Sequence, residues 1–220
     1  MEKYSAVLSA TPLFAGIDPA DLESMLSCLS AKIITNFKGE PVFLEGDPAG
    51  FVGLVLEGNL QVVRDDFYGN RSVLTHAQPG DIFAEAYACA GVEVMPVSGY
   101  ALSDCTWMRL DCRKMLTVCS NSCAFHNRLV KNLLGLTACR NLQLSAKIQF
   151  MSQKTTQAKL MAYLSQQAKD QGSPRFTIPF DRQALADYLG VERSAMSAEL
   201  SKLRRDGVLE CKGPHFHLLI

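Results

Sequence analysis

The chain lacks any long hydrophobic run. None of its apolar stretches approaches the ~20 residues that a membrane-spanning helix needs. The charged Glu2 and Lys3 near its start are followed by no unbroken apolar core of the kind that a signal peptide requires. The sequence therefore predicts a cytoplasmic protein that does not bind membranes.

The chain also lacks an excess of either charge, with 22 basic and 22 acidic residues, so net charge alone indicates no partner. The distribution is uneven. Residues 147–220 hold 11 Lys and Arg against 7 Asp and Glu, whereas residues 1–146 hold 11 against 15. A basic module joined to an acidic one is typical of a nucleic-acid-binding domain attached to a separate domain.

Closely spaced cysteines are missing from the start of the chain, where only Cys28 precedes Cys89. This excludes a four-thiolate iron–sulfur cluster built there. The eight cysteines of a cytoplasmic chain are expected to be free thiols. Cys119, Cys123 and His126 follow one another at i, i+4 and i+7, which suits a metal site or, equally, a packed helix start. We predict no metal and no cofactor.

Catalytic patterns are absent too. No cysteine lies in a recognisable nucleophile setting, and His76 and His126 have no orienting carboxylate nearby in sequence. We therefore do not expect an enzyme.

Short strands dominate residues 31–110. Apolar stretches recur at roughly 8–12-residue spacing with glycines between them, which predicts a small β-barrel or roll built of hairpins. Residues 67–71 look like a hairpin tip. A helix is predicted before this region, with Asp18 as its N-cap and Pro19 as its first residue. The predicted strands include Pro41–Leu44, Phe51–Leu56, Leu60–Val63 and Ser72–Thr75.

A helical pattern returns over residues 111–146. Phe125, Leu129, Leu133 and Leu136 recur at helical spacing and form an apolar stripe. Two interpretations stay open: the stripe packs on the chain's own roll, or it pairs with a twin in a dimer. Polar residues such as Asn141 interrupt the stripe, and such residues either set the register of pairing or are simply solvated.

Two short helices around a tight turn follow near the C-terminus. The first spans residues 181–189, the turn is Gly190–Val191, and the second helix begins at Arg193. Their apolar residues recur at helical spacing, so one face of the second helix is left free, and a helix of this width fits the major groove of DNA. Residues 208–219 then form two strands about a turn, which completes a winged helix.

In order and spacing, several motifs resemble the cyclic-AMP receptor protein and fumarate–nitrate regulator (Crp/Fnr) family of bacterial transcription factors. The resemblance covers nearly the whole chain. It implies an α+β fold with a double-stranded β-helix (β-roll) sensor over residues 1–118, a dimerisation helix over 119–150 and a winged helix–turn–helix over 151–220. The motifs are Pro12–Phe14, Phe37–Glu40, Glu45–Asp47, Leu56–Gly58, Pro79–Glu85 and Arg182–Val191.

The resemblance implies a homodimer that binds a palindromic operator, with RNA polymerase as a further candidate partner. The residues that would contact bases are Arg193, Ser194 and Ser197, and Arg193 suits a bidentate contact to guanine. Ala198 stands where members often carry an arginine, which removes one contact. Phosphate contacts would come from Arg182, Gln183 and Lys202.

The effector is harder to predict. Glu85 matches the ribose-binding glutamate of cyclic-nucleotide members, but no arginine lies between Arg71 and Arg109 to neutralise a phosphate, so cyclic AMP is not expected. We expect an unidentified small effector that is uncharged or weakly polar. The alternatives are a redox- or metal-responsive regulator that uses cysteines and a regulator without an effector. The predicted pocket is lined by Phe83, Ala84, Glu85, Tyr87, Met95, Pro96 and Tyr100 and closed by Leu133 and Leu136.

Overall fold

The computed structural model describes residues 2–117 and 124–219. The chain divides into two compact units, residues 1–138 and 139–220. Each unit has its own buried apolar core.

The first unit opens with helices α1 (Ser5–Ala10) and α2 (Pro19–Cys28), separated by a 3-10 turn at Pro12–Phe14. The Asp18 carboxylate accepts a hydrogen bond from the Ala20 amide at 2.9 Å, and Pro19 occupies the first turn. The predicted cap is therefore confirmed, and it satisfies an amide that would otherwise lack a partner.

Eight antiparallel strands then form the roll predicted from the spacing of the apolar stretches. They build two four-stranded sheets, in the orders β1-β8-β3-β6 and β2-β7-β4-β5. The strands are β1 (Lys32–Asn36), β2 (Pro41–Phe43), β3 (Phe51–Glu57), β4 (Leu60–Asp65), β5 (Arg71–Ala77), β6 (Ile82–Phe83), β7 (Ser98–Ala101) and β8 (Cys105–Asp111).

The β4–β5 hairpin turns where the sequence predicted a tip. The Asp66 carboxylate accepts hydrogen bonds from the amides of Tyr68 and Asn70, at 2.9 and 2.8 Å, which fixes the turn. Phe67 and Tyr68 are exposed there. Two short helices belong to the same unit: α3 (Glu85–Cys89) follows β6, and α4 (Cys112–Leu116) follows β8.

The long helix α5 spans Ala124–Met151. Leu129 and Leu133 are buried in the cluster that includes residues of α2, β3 and β8, and Phe125 and Leu136 pack at its edge. The predicted apolar stripe therefore packs on the chain's own roll.

The second unit contains the remaining elements and a three-stranded sheet in the order β10-β11-β9. Its core gathers apolar residues from every helix of the unit and from the sheet, so the predicted winged helix is confirmed. The elements are α6 (Thr156–Asp170), β9 (Arg175–Thr177), α7 (Arg182–Leu189), α8 (Arg193–Arg205), β10 (Leu209–Lys212) and β11 (His215–Leu218).

Candidate nucleic-acid interface and candidate effector site

The turn between α7 and α8 is closed by backbone hydrogen bonds. Gly190 adopts a left-handed conformation, with φ of +60°, which glycine reaches without a Cβ penalty. Its amide donates to the Asp187 carbonyl, and the Val191 amide donates to the Ala186 carbonyl at 3.0 Å. At the other end of α7 the Asp181 carboxylate accepts the Ala184 amide at 2.8 Å. These bonds fix where α8 begins.

The two helices are held by buried apolar side chains that leave one face of α8 in solvent. Leu185 and Leu189 of α7 are fully buried, as is Met196 of α8. Since these side chains recur every three or four residues, the residues between them point outward.

The predicted base-reading residues lie together in the first turns of α8. Arg193, Ser194 and Ser197 are all exposed. The Ser194 hydroxyl donates to the carboxylate of Glu192, the N-cap residue, at 2.6 Å, whereas no hydrogen bond or ion pair is found for the Arg193 guanidinium among the described residues. A free arginine at this end of an exposed helix is available to a nucleic acid.

The predicted phosphate contacts differ in their surroundings. Lys202 is exposed, and the exposed Gln183 donates to the Asp187 carboxylate at 2.9 Å. Arg182 is half-buried: its Nη2 donates to the Cys211 sulfur at 3.2 Å and its guanidinium lies 5.1 Å from the centre of the Phe216 ring. Arg182 therefore also holds α7 against the wing.

Further basic residues extend this surface. Arg204 and Arg205 in the last turn of α8 and Lys212 at the tip of the wing are exposed. Our prediction omitted them, although the adjacent Lys202, Arg204 and Arg205 form a basic cluster that the sequence shows.

The structure does not bring the predicted effector lining together at one place. Phe83, Ala84 and Met95 belong to the cluster inside the roll, with Tyr87 at its edge. Tyr100 lies in β7, with the Arg71 guanidinium 4.7 Å from its ring centre. Leu133 and Leu136 pack in a separate cluster beneath α5. Pro96 and the buried Glu85 belong to neither of these two clusters.

Aromatic rings occupy the inside of the roll. Phe83 stacks on Phe43 with ring centres 6.0 Å apart, and it meets Phe51 and Trp107 at 6.3 and 5.3 Å. The Trp107 indole N–H donates to the Asn36 side chain at 2.9 Å, so its polar atom is satisfied.

Two glycines show how closely these rings are packed. A Cβ on Gly53 would lie 2.1 Å from the Phe83 ring, and one on Gly99 would lie 2.4 Å from the Phe43 ring. The sequence did not reveal this filling, because the four rings come from four strands, β2, β3, β6 and β8, whose pairing local sequence does not specify.

The segment matched to the cyclic-nucleotide site holds no cation. Glu85 opens α3 and is buried, and Ala84 before it adopts a left-handed backbone, with φ of +63°. Where a phosphate-binding arginine would lie, Met95 is buried and the Ser98 hydroxyl accepts the Glu45 amide at 3.0 Å. A cavity of about 400 Å³ lies elsewhere, along α1 and the turn before β6. It is lined by Ala6, Val7, Ala10, Pro12, Pro79, Gly80 and Asp81.

The candidate metal ligands Cys119 and Cys123 lie outside the described residues. His126 is buried, with its Nε2 3.0 Å from the Lys114 carbonyl. Within residues 2–117 and 124–219 no group of three metal-ligating side chains comes together. Nor does any helix in those ranges combine the length and apolar character that a membrane span requires.

Two family models match the chain. Residues 37–122 match the cyclic nucleotide-binding domain, and residues 158–220 match the Crp-like helix-turn-helix domain. A curated relative, the transcriptional activator protein FnrL of Cereibacter sphaeroides, is 24% identical over 214 residues, which cover 91% of this chain and 81% of the relative.

Solved structures share the fold. The catabolite activator protein of Thermus thermophilus is 24% identical with a TM-score of 0.51, over 94% of this chain and 93% of that one. The c-di-GMP-responsive global regulator CLP of Xanthomonas campestris is 18% identical with a TM-score of 0.56, over 91% and 99%.

Proposed function

The chain belongs to the Crp/Fnr family of DNA-binding transcription regulators, and we propose that it acts as a homodimer that reads a palindromic operator through α8. The observation that carries this proposal is the exposed Arg193, which has no partner within residues 2–117 and 124–219 and stands beside Ser194 and Ser197 at the start of that helix. RNA polymerase remains a predicted further partner of the DNA-bound protein.

A second apolar row on α5 supports the dimer. Leu134, Leu144 and Ile148 are 67%, 60% and 67% exposed, although each is a large apolar side chain. With Thr137, Asn141 and Met151 they alternate at spacings of three and four residues, which is the heptad spacing of paired helices. This heptad row is a different set of residues from the stripe that packs on the roll.

Asn141 lies in the middle of the heptad row. A buried asparagine at one such position favours pairing with the same residue of a twin helix and so fixes register at a cost in stability. We propose this role for Asn141; the alternative is that the polar residues of α5 are simply solvated.

For the sensor we propose that the effector is not cyclic AMP. The rings of Phe43, Phe83 and Trp107 fill the roll, and no arginine stands in the segment between Arg71 and Arg109. An uncharged effector would have to displace Phe83 or bind outside the roll, and it would act by reorienting the recognition helices of the dimer. The same packing also favours the alternative that the regulator has no effector.

Arg193→Ala tests whether Arg193 contacts a base of the operator. We expect a loss of about 1–3 kcal/mol of binding free energy and relaxed preference at one base-pair position, because a bidentate contact is removed. Operators are first selected from random duplex DNA, and affinities are then compared at one salt concentration. Arg205→Ala is the control and should weaken binding evenly across sequences. Unchanged affinity and specificity in Arg193→Ala would remove this residue from the interface.

Ile148→Glu tests the dimer. A charge in the heptad row of both chains should give monomers in sedimentation at micromolar concentration and abolish tight operator binding, since one half-site is then lost. Leu142→Glu is the matched control, because Leu142 is 70% exposed but lies off the heptad row. A dimeric Ile148→Glu protein would refute the proposed pairing.

A further inference from the structure

Two cysteines of the roll have their sulfur atoms in contact. Cys89 ends α3 and Cys112 begins α4, and their Sγ atoms lie 3.9 Å apart. The two residues are 23 positions apart, so the fold and not local sequence brings them together.

We propose that Cys89 and Cys112 are a disulfide-forming pair that is oxidised by small-molecule disulfides such as oxidised glutathione. Cys89 is exposed, whereas Cys112 is 2% exposed. A small disulfide can therefore reach only Cys89, and Cys112 is placed to attack the product. The proposal does not depend on the proposed DNA-binding function.

The chemistry is a two-step exchange. The Cys89 thiolate attacks one sulfur of oxidised glutathione, whose S–S bond breaks, and one glutathione leaves and takes a proton from solvent. Cys112 then loses its proton and attacks the Cys89 sulfur, which releases the second glutathione. Two protein thiols are oxidised and one glutathione disulfide is reduced to two thiols.

The movement required is small. A disulfide has an S–S distance of about 2.05 Å, so the two sulfur atoms must approach by about 1.9 Å. Rotations of the two side chains and a slight shift of the five-residue helices can supply this distance.

The surroundings set the rate and the persistence of the bond. Burial raises the pKa of the Cys112 thiol to about 12, and partial burial of the sulfur also raises the pKa of Cys89. Few thiolates are present at neutral pH, so oxidation should be slow and should accelerate as pH rises. Because high-pKa thiols are poor leaving groups, the disulfide should resist reduction once it has formed.

The disulfide would restrain α3 against α4. Ala88 of α3 packs against the cluster that contains Cys112 and Leu129 of α5. A covalent link there would tie the helix that begins with Glu85 to the helix that follows β8.

The experiment equilibrates the full chain in glutathione buffers of graded ratio, quenches with acid, alkylates free thiols and maps the tryptic peptides. Trypsin isolates Cys112 in residues 110–113 and Cys89 in residues 72–109, where fragmentation separates Cys89 from Cys105. We expect a linked pair of these peptides that increases with the oxidised fraction, and a fall of two alkylated thiols per chain.

Two variants sharpen the result. Cys112→Ser should accumulate a glutathione adduct on Cys89, because the attacking thiol is gone, and Cys28→Ser should leave the link unchanged. Trp107 fluorescence verifies that the variants are folded. The proposal is overturned if the wild-type chain keeps both thiols alkylatable at every ratio, if it stops at the adduct on Cys89, or if the linked partner proves to be Cys105.

Discussion

The two units of this protein place the side chains predicted to be functional in opposite ways. In the winged helix the apolar residues of α7 and α8 are buried, and Arg193, Ser194 and Ser197 are left in solvent. In the roll, Phe83 and Glu85, which the sequence assigned to ligand contact, are themselves buried. A polar binding surface can be identified from the side chains that stay exposed, whereas a ligand site requires space that side chains have not filled.

Phe83→Ala has the largest expected effect and tests whether the interior of the roll is filled core or a ligand site. If Phe83 is a core residue, its removal should lower the free energy of unfolding of the roll by about 3–5 kcal/mol, through lost burial and a cavity. The only tryptophan, Trp107, lies 5.3 Å from the Phe83 ring, so its fluorescence during urea unfolding reports on this unit.

Phe67→Ala is the matched control, because Phe67 is 98% exposed and its loss should change stability by less than about 0.5 kcal/mol. A loss of under about 1 kcal/mol in Phe83→Ala would indicate that Phe83 covers a ligand site and contributes little to the core.

Two glycine substitutions test the effect of adding a methyl group, one inside the roll and one outside it. Gly53→Ala should destabilise the roll by about 1–3 kcal/mol, because its Cβ would overlap the Phe83 ring at 2.1 Å. Gly135→Ala, on α5 with nothing within 4 Å of the new Cβ, should instead raise stability by up to about 1 kcal/mol. Urea midpoints of both variants provide the measurement, and a neutral Gly53→Ala would show that Phe83 moves freely.

Features that depend on neighbouring residues could be predicted from the sequence. The Asp18 cap, the β4–β5 hairpin tip and the turn at Gly190 depend on a few neighbouring residues, and the structure confirms them. The filling of the roll depends on rings from β2, β3, β6 and β8, and the contact of Arg182 with Cys211 joins residues 29 positions apart. Such contacts follow from the tertiary pairing of elements, which local periodicity does not specify.

Arg182→Ala and Lys202→Ala distinguish a residue that holds α7 against the wing from one that only contacts phosphates. Arg182→Ala should lower stability by about 1 kcal/mol, since its hydrogen bond and ring contact are lost, whereas the exposed Lys202→Ala should stay within about 0.5 kcal/mol. If both side chains contact phosphates, each substitution should reduce the slope of log affinity against log salt concentration for operator binding by about one unit. An unchanged slope in Arg182→Ala, measured by titration at several salt concentrations, would assign Arg182 to support alone.

The smallest expected effects come from two residues with a left-handed backbone conformation, one in each unit. In the winged helix the residue with a φ of +60° is a glycine, Gly190. In the roll the residue with a φ of +63° is an alanine, Ala84. An alanine in this conformation costs roughly 1–2 kcal/mol, but glycine is also more flexible in the unfolded chain. Ala84→Gly should therefore raise the stability of the roll by only about 0.5 kcal/mol, whereas Gly190→Ala should lower that of the winged helix by about 1 kcal/mol. Urea unfolding followed by Trp107 fluorescence for the roll and by circular dichroism for the winged helix checks both signs. A loss of stability in Ala84→Gly would mean that the buried Ala84 methyl group contributes more by packing than its backbone strain takes away.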